Sequence, residues 1–201
     1  MPKAKAKSAS ATANMHAVVG SDESEVKRVA AELAAKLTPP DAGDFGLEMI
    51  DGCGDNAEQS AGQVRAAIEA LQTLPFFGGK LVWLKNANSL GDTVIGRAAA
   101  VQSALEELAE VLEDGLAPNV TFLLSASEVD KRRSFYKSLG KRAELQVFDK
   151  LDASRSGWEE EATEIVRLRA TKRGLQFREE ALDLFVLLTG GDTRQIENEL
   201  E

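Results

Sequence analysis

Short apolar runs alternate with helix-period segments over the first two-thirds of the chain. Met15 to Val19 is a largely apolar run closed by Gly20, the mark of a buried strand. Ser21, Asp22, Glu23 and Ser24 then supply N-cap candidates and early carboxylates. Val26, Val29, Ala30, Leu33 and Leu37 recur at helical spacing until Pro39-Pro40 stops the helix. The same reading predicts a second strand at 47–50, a loop at 51–56, and a helix with Val64, Ile68 and Leu71 on one face. The helix breaks at Leu74-Pro75-Phe76-Phe77-Gly78-Gly79, and a third strand covers 80–85. A long helix at about 94–113, a fourth strand at 120–125, a short helix at about 132–139 ended by Gly140, and a fifth strand at 144–148 complete the series.

Strands that alternate with helices and are apolar on both faces predict an α/β fold, a parallel sheet flanked by helices on both sides. The texture changes after Asp149: helical segments at 158–169, 178–188 and 193–201 follow with no strand between them, punctuated by Gly174 and Gly190-Gly191. The expected organisation is a disordered, solvated tail at 1–14, an α/β domain at 15–150 and a small all-helical domain at 151–201. The last helical segment runs to Glu201, so the chain reads as cut from something longer.

Composition narrows the partners. Across 201 residues, 43% hydrophobic and 28% charged content suits a globular chain, and the net charge of −9 opposes strong autonomous binding to nucleic acid. A local basic patch stays compatible with that charge. Cys53 and His16 are the only residues of their kinds, so an internal disulfide is impossible and a metal site unexpected. Cys53 reads as a small residue in a Gly-rich loop. No apolar run is long enough to span a membrane, and the basic, small-residue N-terminus lacks the apolar core of a secretory signal, so a cytoplasmic location is expected.

A strand–Gly–helix opening is where a nucleotide-binding α/β protein keeps its phosphate loop. Such a loop needs a second glycine for close backbone approach, a lysine for the phosphates and a Ser/Thr for Mg²⁺. Gly20-Ser21-Asp22-Glu23-Ser24-Glu25-Val26 has no second glycine, no lysine before Lys27, and three carboxylates that would repel a triphosphate. The third strand ends in Lys85-Asn86 and the fourth in Ser125-Ala126-Ser127, neither with a metal-holding carboxylate. No intrinsic catalysis, cofactor or metal is expected.

Leu74, Phe76 and Phe77 stand beside Pro75 and two glycines at a helix end. They either cap the core or form a wedge for a partner, since aromatic anchors on a stiff corner are what interface hot spots look like. Lys131, Arg132 and Arg133, with Lys137, Lys141 and Arg142, form either a solvated face or a contact with DNA or a neighbouring subunit. Arg167, Arg169, Lys172 and Arg173 suit the C-terminal dipole of their helix, and Trp158 is expected to pack that helix on its neighbours.

The run from Leu71 through Leu74-Pro75-Phe76-Phe77-Gly78-Gly79-Lys80 into the apolar strand resembles the signature of the delta subunit of bacterial DNA polymerase III. His16 to Glu23 is similar to that family's opening strand and acidic, degenerate phosphate loop. Thr121 to Ser125 with Asp130-Lys131-Arg132 resembles its fourth strand and basic turn, and Gly190-Gly191-Asp192 with Ile196 to Leu200 resembles the helix closing its second domain. The resemblance implies an AAA+-type sheet with a helical lid, a missing third collar domain, and no ATP bound by this subunit. It implies a clamp-loader component of a DNA-directed DNA polymerase, a nucleotidyltransferase holoenzyme, nucleoid-associated when in the replisome. Implied partners are the beta sliding clamp, the gamma/tau and delta prime subunits, and primer-template DNA through the assembled complex, with no membrane. The family's clamp-contacting positions fall on Leu74, Phe76 and Phe77, where a Phe-Phe pair replaces the more usual Leu-Phe. The alternatives are a P-loop-type ATPase and a nucleic-acid-binding module using the 131–142 cluster.

Overall fold

The computed structural model describes residues 14–75 and 78–201. The elements are β1 (Met15–Val19), α1 (Glu23–Leu37), β2 (Leu47–Asp51), α2 (Ala57–Gln72), β3 (Lys80–Lys85), α3 (Val94–Arg97), α4 (Ala99–Asp114), β4 (Val120–Ala126), α5 (Ser134–Arg142) and β5 (Glu144–Val147), followed by α6 (Trp158–Lys172), α7 (Glu179–Thr189) and α8 (Thr193–Glu199). The five strands form one parallel sheet in the order β2-β3-β4-β1-β5.

Successive strand residues point to opposite faces, and this divides the core in two. Ala17, Val19, Val82, Leu84, Phe122 and Leu124 pack on one face against Val64 and Leu71 of α2 and Val101, Leu105 and Leu108 of α4. Val18, Leu81, Trp83 and Leu123 pack on the other against Val26, Ala30 and Ala34 of α1. Complete burial of each Leu or Phe contributes about 1.5–3 kcal/mol. Trp83 meets its polar obligation there, its Nε1 donating to Ser125 Oγ at 3.0 Å. The fold is the helix-flanked parallel α/β sheet read from the sequence.

Several expectations need correction. Only β3, β4 and β1 are buried on both faces; β2 and β5 are edge strands, and Leu47 and Met49 of β2 are exposed. The helix expected over 94–113 is two helices, because Ala98 adopts an extended ψ of 140°. The Gly96 carbonyl just before that break accepts from Arg133 Nη1 and from Gln102 Nε2, each at 2.5 Å. Gly140 does not end α5, which continues to Arg142 with Leu139 buried. Asn14, placed in the tail, is tied to the sheet: its carbonyl accepts from Phe122 N at 2.8 Å and its Nδ2 donates to the Val120 carbonyl at 3.1 Å. The rest of the expected tail lies outside the described residues.

Residues 149–201 form a compact unit of their own. Its core joins Ala162, Val166 and Ala170 of α6, Leu182 and Val186 of α7, and Ile196 and Leu200 at the end, with Trp158 packed against them. The cations at the end of α6 do more than complement its dipole. Arg169 is buried, with Nη1 donating to the Thr193 carbonyl at 2.8 Å and lying 3.0 Å from Glu197 Oε1. Arg173 pairs with Glu197 and Arg167 with Glu179. Among the described residues, no helix is long and apolar enough to cross a membrane.

Candidate partner-docking site

α2 ends where Thr73 turns extended, and both its N–H and its hydroxyl are held by the Glu69 carbonyl, at 3.0 and 2.8 Å. The next side chain, Leu74, is 68% exposed and belongs to none of the core clusters. Phe76 and Phe77 lie outside the described residues. Beyond them Gly78 has φ +52°, a conformation that favours glycine, and its carbonyl accepts from Asn119 Nδ2 at 3.2 Å. Lys80 N donates to the Asn119 carbonyl at 2.9 Å. The turn between α2 and β3 is thus anchored on both sides.

At the opposite end of the strands, the Gly20 loop is closed by its own backbone. Gly20 N donates to the Ala126 carbonyl at 3.1 Å and Asp22 N to the Phe148 carbonyl at 3.0 Å. A Cβ at Gly20 would sit 1.9 Å from the Phe148 oxygen, so β5 leads tightly over the loop. Asp22, buried, caps α1 by accepting from Glu25 N at 3.1 Å. Lys27 pairs with Glu23 at 2.6 Å, and Arg28 pairs with Glu25 and Glu32. The N–H groups of Gly20 and Asp22 are therefore already engaged, on a stretch that carries the carboxylates of Asp22, Glu23 and Glu25. Beside them lies a crevice of about 290 Å³ lined by Glu23, Asp51 and Glu128 against the single cation Lys27. Among the described residues no group of His, Cys, Asp and Glu has the arrangement of a metal site.

A profile of the DNA polymerase III delta subunit matches residues 17–148. The chain belongs to that family. Among solved structures, the Bacillus subtilis DNA clamp loader delta protein aligns with 94% of this chain and 52% of its own, at 21% identity and a TM-score of 0.65. A DNA polymerase III gamma subunit-related protein from Thermotoga maritima aligns with 95% of this chain and 54% of its own, at 15% identity and a TM-score of 0.50. These likenesses establish the fold, and the delta-family chain spans about half the length of either protein. Comparison with curated protein sequences returns no match.

Several basic residues of the delta-family chain are held by acidic partners. Arg132 donates from Nε to Asp130 at 2.8 Å and from Nη2 to Asp92 at 2.9 Å. Arg133, largely buried, lies 3.5 Å from Asp130 and holds the Gly96 carbonyl. Arg97 joins the same group by donating to Asp92 at 2.7 Å. The hydrogen bonds from Arg132 hold the Asp130 carboxyl well below the usual range, and Asp130 in turn raises Arg132. Asp92 is lowered chiefly by Arg97. Arg142 is bound to Glu113. Lys131 is interaction-bearing as well. The run that reads as a basic patch is, at Arg132 and Arg133, one side of an ion-pair cluster. Asp130, two residues ahead of Arg132, was the available sequence signal; Asp92 gave none.

Proposed function

We propose that this delta-family chain is a clamp-loader subunit that binds the beta sliding clamp and favours its open form, without binding ATP itself. The observation that carries this reading is the exposed Leu74 on a turn anchored at both ends. Leu74, Phe76 and Phe77 are the clamp contacts, and burial of each in a partner contributes about 1.5–3 kcal/mol. Anchors at Thr73 and Gly78 reduce the freedom lost by the flanks on docking. Opening then follows from tighter binding to the open ring than to the closed one.

In this reading residues 15–150 hold the clamp and 151–201 act as a lid. The gamma/tau and delta prime subunits supply ATP turnover, and primer-template DNA is met through the assembled complex. The chain serves the DNA-directed DNA polymerase holoenzyme without a reaction of its own. The engaged loop at Gly20 and Asp22 supports independence from ATP. Direct nucleic-acid binding through Lys131, Arg132 and Arg133 is the weaker reading, because Asp92 and Asp130 already neutralise the two arginines.

The test is release of a sliding clamp preloaded on closed circular DNA, with no nucleotide present. The chain is expected to accelerate release, and a variant carrying Leu74→Ala, Phe76→Ala and Phe77→Ala is expected not to. No acceleration by the unaltered chain, or equal acceleration by the variant, contradicts the proposal.

A further inference from the structure

Residues 94–114 carry the marks of one helix. Thr93 caps the start, its Oγ1 accepting from Gly96 N at 3.0 Å, and Gly115, at φ +89°, closes the run. No proline lies between them, and Gly96 keeps helical geometry inside α3. Val94, Ala98, Val101, Leu105, Leu108 and Leu112 recur at the spacing of a single apolar stripe. Val101, Leu105, Leu108 and Leu112 are buried, whereas Val94, at the head of the stripe, is 89% exposed. The interruption falls at Ala98, the first of three successive alanines, and α4 starts with no side-chain cap. Nothing in the local sequence calls for a break there.

Side chains hold it instead. The Gly96 carbonyl, which an unbroken helix would offer to Ala100 N, accepts from Gln102 Nε2 and from Arg133 Nη1, each at 2.5 Å. Arg133 stands at the start of α5 and is itself set by Asp130, 3.5 Å away. The bent segment is closely fitted: a Cβ on Gly96 would lie 2.2 Å from the Gly91 carbonyl oxygen. We propose that the α3–α4 break is a two-state element, latched in its broken form by Arg133, and that release of the latch lets 94–114 run as one helix withdrawn from Gly91. The two forms trade one apolar side chain for another. Ile95 packs on the core in the broken form, and Val94 joins the stripe in the straight one. A displacement of α5 is thereby converted into a helix or a break at Ala98.

The experiment reads Cα chemical shifts and amide hydrogen exchange over 94–102 in the whole chain, unaltered and with Arg133→Met or Gly96→Ala. Arg133→Met leaves Asp130 its bonds from Arg132. It is expected to move the Ala98 shift into the helical range and to slow exchange of the Ala99 and Ala100 amides roughly tenfold, as they gain carbonyls of the preceding turn. Gly96→Ala adds a methyl that meets the Gly91 oxygen only in the broken form, and it is expected to straighten the helix with Arg133 intact; it decides the question if Arg133→Met does not fold. An Ala98 shift that stays extended in Arg133→Met overturns the latch, because the break is then fixed by something else. Faster exchange throughout 94–102 overturns it as well, because α3 then melts rather than joining α4. Failure of both variants to fold overturns it too, since the broken form is then the only one the chain can hold.

Discussion

Lys27 Nζ lies 2.6 Å from Glu23 Oε1, one turn back along α1. That pair occupies the cation nearest the place where a phosphate loop would work. With the N–H groups of Gly20 and Asp22 engaged by the Ala126 and Phe148 carbonyls, two of the loop's donors and its nearest cation are already committed. Mg-ATP is therefore expected to leave the melting temperature within about 1 °C of its nucleotide-free value. A ligand at a hundred times its Kd would add about 2.7 kcal/mol, or roughly 5–10 °C for a chain of this size. A rise of that order in a thermal-shift assay would show that the loop still holds nucleotide.

Asp130 and Asp92 set an acid limit on the joint between the α3 region and α5. Hydrogen bonds from Arg132 depress the Asp130 carboxyl, and those from Arg97 depress Asp92. A carboxyl depressed on folding contributes stability that is present above its unfolded pKa, near 3.9, and is lost as pH falls through the folded value. Asp130→Asn is expected to melt modestly lower than the unaltered chain at pH 7, with the gap closing as pH drops from about 5 towards 2. Melting curves whose separation stays constant over that range would show that the depressed carboxyl does not contribute.

Arg169 is the polar centre of the 149–201 unit, holding the start of α8 through the Thr193 carbonyl and its side through Glu197. Arg169→Met leaves a buried carbonyl and a half-buried carboxylate without that partner, at a cost of about 2–3 kcal/mol. Amide hydrogen exchange is expected to speed up in α8 and in the last turn of α6. Unchanged protection of the 193–199 amides would rule out this role.

Sequence periodicity located β1, β3 and β4 almost to the residue because these strands are apolar on both sides, so their ends are also the ends of their apolar runs. Leu47 to Asp51 and Glu144 to Val147 gave similar short runs, yet they are edges, since a run of residues does not state which strands will flank it. The break at Ala98 could not be foreseen: alanine is the best helix former. What marks the break is the Gly96 carbonyl bonded to Arg133, far off in sequence. Gly140 misled for the opposite reason, because glycine costs an exposed helix about 1 kcal/mol and Leu139 beside it is buried strongly enough to carry the helix on.

The candidate site divides in the same way. The acidic loop at Gly20 could be read directly, because missing glycines and lysines are visible in a string of residues. The partners of Arg132 could not, because Asp92 is forty positions away.

Titration of the sliding clamp with the unaltered chain and with the Phe76→Ala/Phe77→Ala double variant tests the wedge most directly. The affinity of the double variant is expected to fall at least about tenfold while its melting temperature holds. A double variant that binds as tightly as the unaltered chain, or that fails to fold, would mean that the two phenyl rings are not what the clamp grips.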